Sequence, residues 1–330
     1  MNRKILSILV YLLPVPVLLF SVLLGPSENI TMKHVIQMLT NTYQGSDQEI
    51  IATVLLDVRL PRIMLVFMAG GALAASGSAL QSVFRNPLVS PYVLGLSSGA
   101  AFGAALAMWT IILPVQVSAF VFGLIAVVLS YLMARKKGQV SIVSLILAGI
   151  ITNGIFTALL TIVQVISDPF RLQGIVHWTM GNFHNANWQK FNAAILPVAL
   201  GIAVLFIMRW KLNVLAMGDE EALSAGIHPR KVKSWVLGAA TVSCSAAVAV
   251  SGIIGLYGLI IPHATRMVFG VDNKTTFLLN ILIGGSFLTL IDNISRTVAG
   301  FEIPIGVFTM LIGAPFFIFL LKKTNAGWEQ

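Results

Sequence analysis

The sequence predicts an all-α polytopic membrane protein of about ten transmembrane helices, and three observations carry that prediction. First, 57% of the 330 residues are apolar and 10% are charged, where a soluble domain carries about 25% charged residues. Second, apolar runs close to the roughly 20 residues of a membrane span follow one another along the whole chain. Third, no polar stretch exceeds about 25 residues, which leaves no room for a soluble catalytic domain. A soluble globule could not hide so much apolar surface, and a disordered chain has the opposite composition.

The first span is Ile5–Leu24, preceded by Arg3 and Lys4. It is long for a signal peptide and no small-residue cleavage site follows, so it reads as a retained span. Residues 26–50 are polar and mostly uncharged. The second span, roughly Val54–Val83, includes Arg59-Leu-Pro-Arg62 and then the small-residue run Ala69–Ser78, which lets helices approach closely in lipid. The segment Phe84–Pro91 breaks it. The third span, about Tyr92–Ile112, carries Gly95, Gly99 and Gly103, a doubled G-x-x-x-G that reads as tight packing within one subunit rather than a dimer face. The fourth, Val117–Met133, closes on Arg135-Lys-Lys137, and the fifth is Ser141–Val165. Residues 167–190 form a polar loop with Trp178 and Trp188 as interfacial aromatics. The sixth span is Phe191–Met208, followed by the most polar stretch of the chain, residues 209–233. The seventh is Ser234–Val250. Gly252–Phe269, Gly-rich and broken by Pro262, reads as a half-length or discontinuous eighth, and Thr275–Val298 and Ile305–Leu321 complete the set.

Loop charge orients these spans. With the N-terminus inside, fifteen of the 21 basic residues lie on the inner side; Lys33, Arg59, Arg62, Arg171, Lys190 and Arg296 lie outside. That asymmetry places both termini in the cytoplasm. The net charge of +9 is explained the same way, without nucleic acid. A weak internal echo sets Ser76-Gly77 ten residues before Pro87 and Ser251-Gly252 ten before Pro262, and repeated halves are common in transporters.

Chemistry is sparse. Gly-Lys never occurs, so there is no phosphate-binding loop, and Cys244 is the single cysteine. No acid or cysteine stands at ligand spacing around His177, His184 or His263, so no metal site is expected. H-E-x-x-H is missing. A gradient-driven transporter would need an intramembrane relay, and Asp292, four residues before Arg296, is the one deep candidate.

Two features remain as functional candidates. Gly218 followed by Asp219, Glu220, Glu221, Ala222, Leu223, Ser224, Ala225 and Gly226 reads as a short helix with acids in its first turn and a glycine stop. Such a helix could seat Ala222, Ser224 and Ala225 in a partner's groove; a plain connector needs no such capping. Arg59, Arg62 and Arg296 run against the charge bias. They either meet acidic groups of an external partner or anionic ligand, or pair internally, with Asp57 near the first two and Asp292 one helical turn from the third.

Several motifs accumulate into one pattern: Arg59-Leu-Pro-Arg62, Ala72–Gln81, Phe84-Arg-Asn-Pro-Leu88, Pro91–Ala100, Leu147-Ala-Gly149, Trp178-Thr-Met-Gly181, Gly255–His263 with Arg266, and Pro304-Ile-Gly306 through Gly313–Phe317. In order and spacing, from about residue 55 to 321, they resemble the FecCD/BtuC-like permease family of ABC importers for iron–siderophore complexes, haem and vitamin B12. The resemblance implies a type II importer permease with ten helices in a bacterial or archaeal cytoplasmic membrane. It implies a homodimer or a heterodimer with a paralogue, two ATPase subunits that bind ATP and Mg, and an external substrate-binding protein. By the same resemblance this chain holds no cofactor of its own. Residues 218–226 are similar to the family's coupling helices. Arg59, Arg62 and Arg296 fall on positions that meet glutamates of the binding protein. The cytoplasmic gate falls near Ser141, Ile142, Val143 and Ser144, more apolar here than in many members. The resemblance leaves an oxyanion as an alternative to a metal chelate.

Overall fold

The computed structural model describes residues 3–25, 31–40, 48–136 and 139–323. Helical structure covers most of each of the ten expected spans there. Six are long and apolar enough by themselves to cross a membrane: Ile5–Leu23, Val115–Ala134, Ile142–Ile166, Trp188–Met217, Pro229–Ser251 and Asn273–Thr297.

The first span is two helices, α1 (Arg3–Leu12) and α2 (Pro14–Leu23), because Pro14 and Pro16 cannot donate to the preceding turn. α3 (Met32–Leu39) and α4 (Gln48–Thr53) follow, then a π-helical turn at Val54–Arg59 and α5 (Leu60–Phe84). Pro91–Leu94 is a single 3-10 turn, and α6 (Leu96–Thr110) starts after Gly95, which takes φ +86°. α7 (Val115–Ala134) leads through β1 (Arg135–Lys136) and β2 (Gln139–Val140), an antiparallel pair with Arg135 opposite Val140, into α8 (Ile142–Ile166). The loop expected at 167–190 holds α9 (Pro169–Thr179), capped by the Asp168 carboxylate, which accepts from the amides of Phe170 and Arg171. α10 (Trp188–Met217), α11 (Asp219–Ser224), α12 (Pro229–Ser251), α13 (Tyr257–Phe269), α14 (Asn273–Thr297) and α15 (Ile305–Lys323) complete the chain.

Buried over most of its length, α5 is the axis of the fold, with α10, α12, α13 and α14 packed around it. The small residues of its sequence make this possible. A Cβ at Gly77 would lie 1.8 Å from the Gly258 carbonyl oxygen on α13. The G-x-x-x-G stripe works the same way inside the chain: Cβ atoms at Gly99 and Gly103 would fall 2.5 Å from carbonyl oxygens of α7. α8 lies to one side, against α6 and α7.

Two expectations change. The helix after the sixth span does not stop at Met208 but runs to Met217, so the polar stretch 209–233 shrinks to α11 and short connections. Leu212 and Leu215 are fully buried and continue the apolar stripe past the charged residues. The echo between Gly77 and Gly252 is not structural: Gly77 sits inside α5, Gly252 caps α12, and Pro262 lies within α13 whereas Pro87 follows α5. The eighth span is the expected short helix, Tyr257–Phe269, preceded by non-helical residues 252–256.

Side-chain contacts define the two ends of the bundle. At one, Ser82 Oγ donates to Asn273 Oδ1 (3.0 Å) and Asn213 Nδ2 to Asp272 Oδ1 (2.6 Å), beside α11. At the other, Arg62 reaches Asp292 (2.8 Å) and Trp188 Nε1 donates to the Leu56 carbonyl (2.9 Å).

Candidate functional site

The α11 end carries the short capped helix. Its termination is a Schellman motif: the Ile227 amide donates to the Ala222 carbonyl (2.8 Å) and the Gly226 amide to the Leu223 carbonyl (2.9 Å). Gly226 takes φ +74°, the left-handed position such a motif requires. Ala222 and Ile227 are buried beneath the turn. Ala222, expected on the outward face, therefore anchors the helix from below. The Asp219 carboxylate accepts from Lys233 Nζ at 2.6 and 2.7 Å, tying α11 to the first turns of α12. Ser224 Oγ donates back to the Glu220 carbonyl (3.0 Å). Glu220, Glu221, Leu223, Ser224, Ala225 and Gly226 are exposed, while Gly218 is buried and its carbonyl receives the Ala222 amide. The result is a helix rigidly fixed on one side and open on the other.

Next to it lies a pocket of about 340 Å³, with Asp219, Leu223 and Lys233 on one wall and Tyr131, Val140 and Leu145 on the other. Those opposite residues belong to α7, β2 and α8, whose start carries the expected gate positions. Ser141 Oγ caps α8 by accepting from the Ser144 amide (3.0 Å) and donates to Ser144 Oγ (2.8 Å). Ile142 is half-buried; Val143 is 68% exposed and begins an uncovered apolar stripe through Leu147, Ile150 and Ile151.

The opposite end gathers the three arginines, and each is buried: Arg59 3%, Arg62 7% and Arg296 8% exposed. Arg59 Nη1 donates to the Val22 and Leu23 carbonyls (2.6 and 3.1 Å), closing the C-terminus of α2. Arg62 uses Nε and Nη2 on the Asp292 carboxylate and Nη1 on Glu302 Oε1 (2.7 Å). Arg296 lies 3.3 Å from the other Asp292 oxygen and also donates to Ser21 Oγ and Asn293 Oδ1. Of the two open readings, Arg62 and Arg296 take the internal pair, while Arg59 is held by the carbonyls of α2. Asp57 is exposed and is not the partner; Asp292 serves both Arg62 and Arg296. Glu302 completes the network and was not legible from local spacing, since it stands 240 residues from Arg62. Burial alone would raise the Glu302 carboxyl. Hydrogen bonds and charge from Arg62, then His184 at 3.4 Å, outweigh it and hold the group below its usual value.

The remaining candidates stay separate. His263 meets the Phe316 ring edge-on, and Asn182 donates to the His177 carbonyl (2.9 Å). Among the described residues no three His, Cys, Asp or Glu side chains converge as metal ligands.

Known proteins resemble this arrangement over nearly all its length. The model of the FecCD transport family matches residues 12–323. The "Probable iron chelatin transport system permease protein" of Helicobacter pylori is 36% identical over 83% of this chain and 84% of its own. The molybdate import system permease protein MolB of Haemophilus influenzae is 39% identical over 83% and 82%. Among solved structures, "An inward-facing conformation of a putative metal-chelate type ABC transporter" superposes with a TM-score of 0.86 at 34% identity, covering 97% of this chain and 99% of that one.

Proposed function

The chain belongs to the FecCD transport family, and from that premise we propose how its two ends divide the work of import. It is a transmembrane permease of an ABC importer that moves a metal chelate of the iron–siderophore, haem or cobalamin type. Such a cargo cannot cross hydrocarbon with its polar groups exposed. A path between two permease subunits that opens alternately to each side meets that difficulty.

In our reading the α11 end faces the cytoplasm, as loop charge indicates. α11 receives the push of a separate ATP-hydrolysing subunit, and a second permease chain lies against the uncovered stripe of α8. The Ser141–Ser144 segment forms the inner constriction. An external substrate-binding protein docks at the Arg62 end, where Arg59, Arg62 and Arg296 support the docking surface from beneath by fixing α2, α5 and α14. This chain changes access and performs no bond chemistry. The observation that carries the reading is the anchoring of α11: a helix bolted to α12 through Asp219 and Lys233, with its other face exposed, transmits force instead of absorbing it.

The test is uptake of a radioactive ferric chelate by vesicles holding the permease with its ATPase subunits. Ala225→Trp adds bulk on the exposed face and removes no internal contact. It should leave the permease inserted, release the ATPase subunits and cut uptake by at least about tenfold. Unchanged uptake and association would reduce α11 to a connector. A second reading, oxyanion import, is favoured by the molybdate permease relative. Competition by unlabelled molybdate, haem and cobalamin in the same vesicles separates the two.

A further inference from the structure

A second pocket at the α11 end, of about 220 Å³, is lined by Gln81, Ser82, Arg85, Asn86, Arg266 and Asn273 among others. Arg266, on α13, is half-buried. Its guanidinium donates to the neutral side-chain oxygen of Gln81, whose own nitrogen donates to the Gly258 carbonyl (3.2 Å). Arg85 is exposed and stands at the left-handed C-cap of α5 (φ 48°, ψ 34°). Among the described residues neither arginine has a carboxylate within ion-pair distance. The carboxylate next in the chain, Asp272, is occupied by Asn213 and by the Lys274 amide. Arg62 and Arg296 at the opposite end, by contrast, share Asp292. A half-buried cation without an anion is unfavourable, so the pocket suits an anion from outside the described residues. Asn86 Oδ1 accepts from the Leu88 amide (2.9 Å), which turns its amide nitrogen away from that bond as a further donor.

The rim decides which anion. Val271 lines the pocket and is 77% exposed; Met267 and Val268, the two residues after Arg266 on α13, are 48% and 45% exposed. A free ion gains nothing from such exposed apolar side chains; an acyl chain does.

We propose that this pocket binds the phosphate headgroup of an anionic phospholipid, with Arg85 and Arg266 on the phosphate oxygens and the acyl chain along Met267, Val268 and Val271. This goes beyond the import reading and does not depend on the cargo or on the partner that docks at α11.

The test uses the intact transporter, permease with ATPase subunits, in nanodiscs of phosphatidylcholine containing a minor share of phosphatidylglycerol. Lipid retained after detergent exchange is counted by native mass spectrometry. The wild type should retain phosphatidylglycerol. Arg85→Gln and Arg266→Gln should each lower retention about tenfold, the worth of one charge-assisted phosphate contact. Arg266→Lys should lower it less, and Lys274→Gln, a cation at the same end but outside the pocket, should change nothing. Arg85 is exposed, so its variant reports even where Arg266→Gln fails to assemble. Equal retention in wild type and Arg85→Gln would overturn the proposal. So would displacement of the lipid by equimolar inorganic phosphate, which would make the site one for a free anion. Loss of ATPase subunits in Arg85→Gln with lipid retention intact would overturn it in favour of a protein carboxylate.

Discussion

Replacing Asp292 by Asn keeps the shape of the side chain and removes its charge, leaving Arg62 and Arg296 buried around a neutral amide. Side-chain exposure there is 1% for Asp292, 8% for Arg62 and 3% for Arg296, so solvent screens little of the interaction. At an effective dielectric of about 20, each charge pair near 4 Å is worth about 4 kcal/mol. Relief of the carboxylate's own desolvation offsets part of the two pairs. Breaking one buried pair by removing a single partner costs about 3–5 kcal/mol in measured cases, and that range is the expectation here. For a chain of this size it corresponds to a fall in thermal midpoint on the order of 10 °C. The assay is thermal unfolding of the detergent-solubilised permease, with its salt dependence. High salt should not mask the loss, because the site is beyond the reach of the ion atmosphere. Adding Arg296→Met to Asp292→Asn should recover part of the loss, since Arg62 keeps Glu302 while Arg296 is the cation left without a carboxylate; the two single effects should therefore fail to add. A midpoint for Asp292→Asn within about 2 °C of wild type, or simple additivity in the cycle, would refute the view that Asp292 holds this end together.

Two other outcomes follow from geometry already described. Gly77→Ala places a methyl 1.8 Å from the Gly258 oxygen, a backbone atom that cannot swing away, so the variant should fail to accumulate in membranes; Gly154→Ala, with nothing within 4 Å, should accumulate normally on an immunoblot of the membrane fraction. Glu302 is held below its ordinary value of 4.5 by Arg62 and His184, so its contribution is fully present above that value and is lost as pH falls through the lowered one. Thermal midpoints measured down a pH series should show this acid loss in wild type and a smaller one in Glu302→Gln.

Much of the fold is legible in the sequence because membrane spans announce themselves one at a time, by length and apolarity. The helix bounds around Met208 are not, because Arg209 and Lys211 read as an exit from the bilayer. In the structure Arg209 lies over the Phe206 ring at 3.7 Å and the helix continues on Leu212 and Leu215. α11 was legible from its acids and its glycine, features that act within one turn. Which face of it looks outward was not, since the burial of Ala222 depends on the Schellman turn bringing Ile227 back beneath it. The Arg62 network shows the same limit more strongly. Asp292 and Arg296 are neighbours on one helix and could be paired by eye, but Arg62 and Glu302 come from distant segments, and only the packing of α5 along α14 brings them together.

The pocket between α11 and the start of α8 has a mechanical consequence. Its roughly 340 Å³ separates the helix that would be pushed from the residues that would move. If α11 is the helix that is pushed, as proposed, the direct route to α8 is interrupted there, and the stiff route runs around the void through the Asp219–Lys233 tie into α12, across to α7 and then to α8. The start of α8 would then answer to a tilt of α12 and α7 together and not to a nudge at its own first turn.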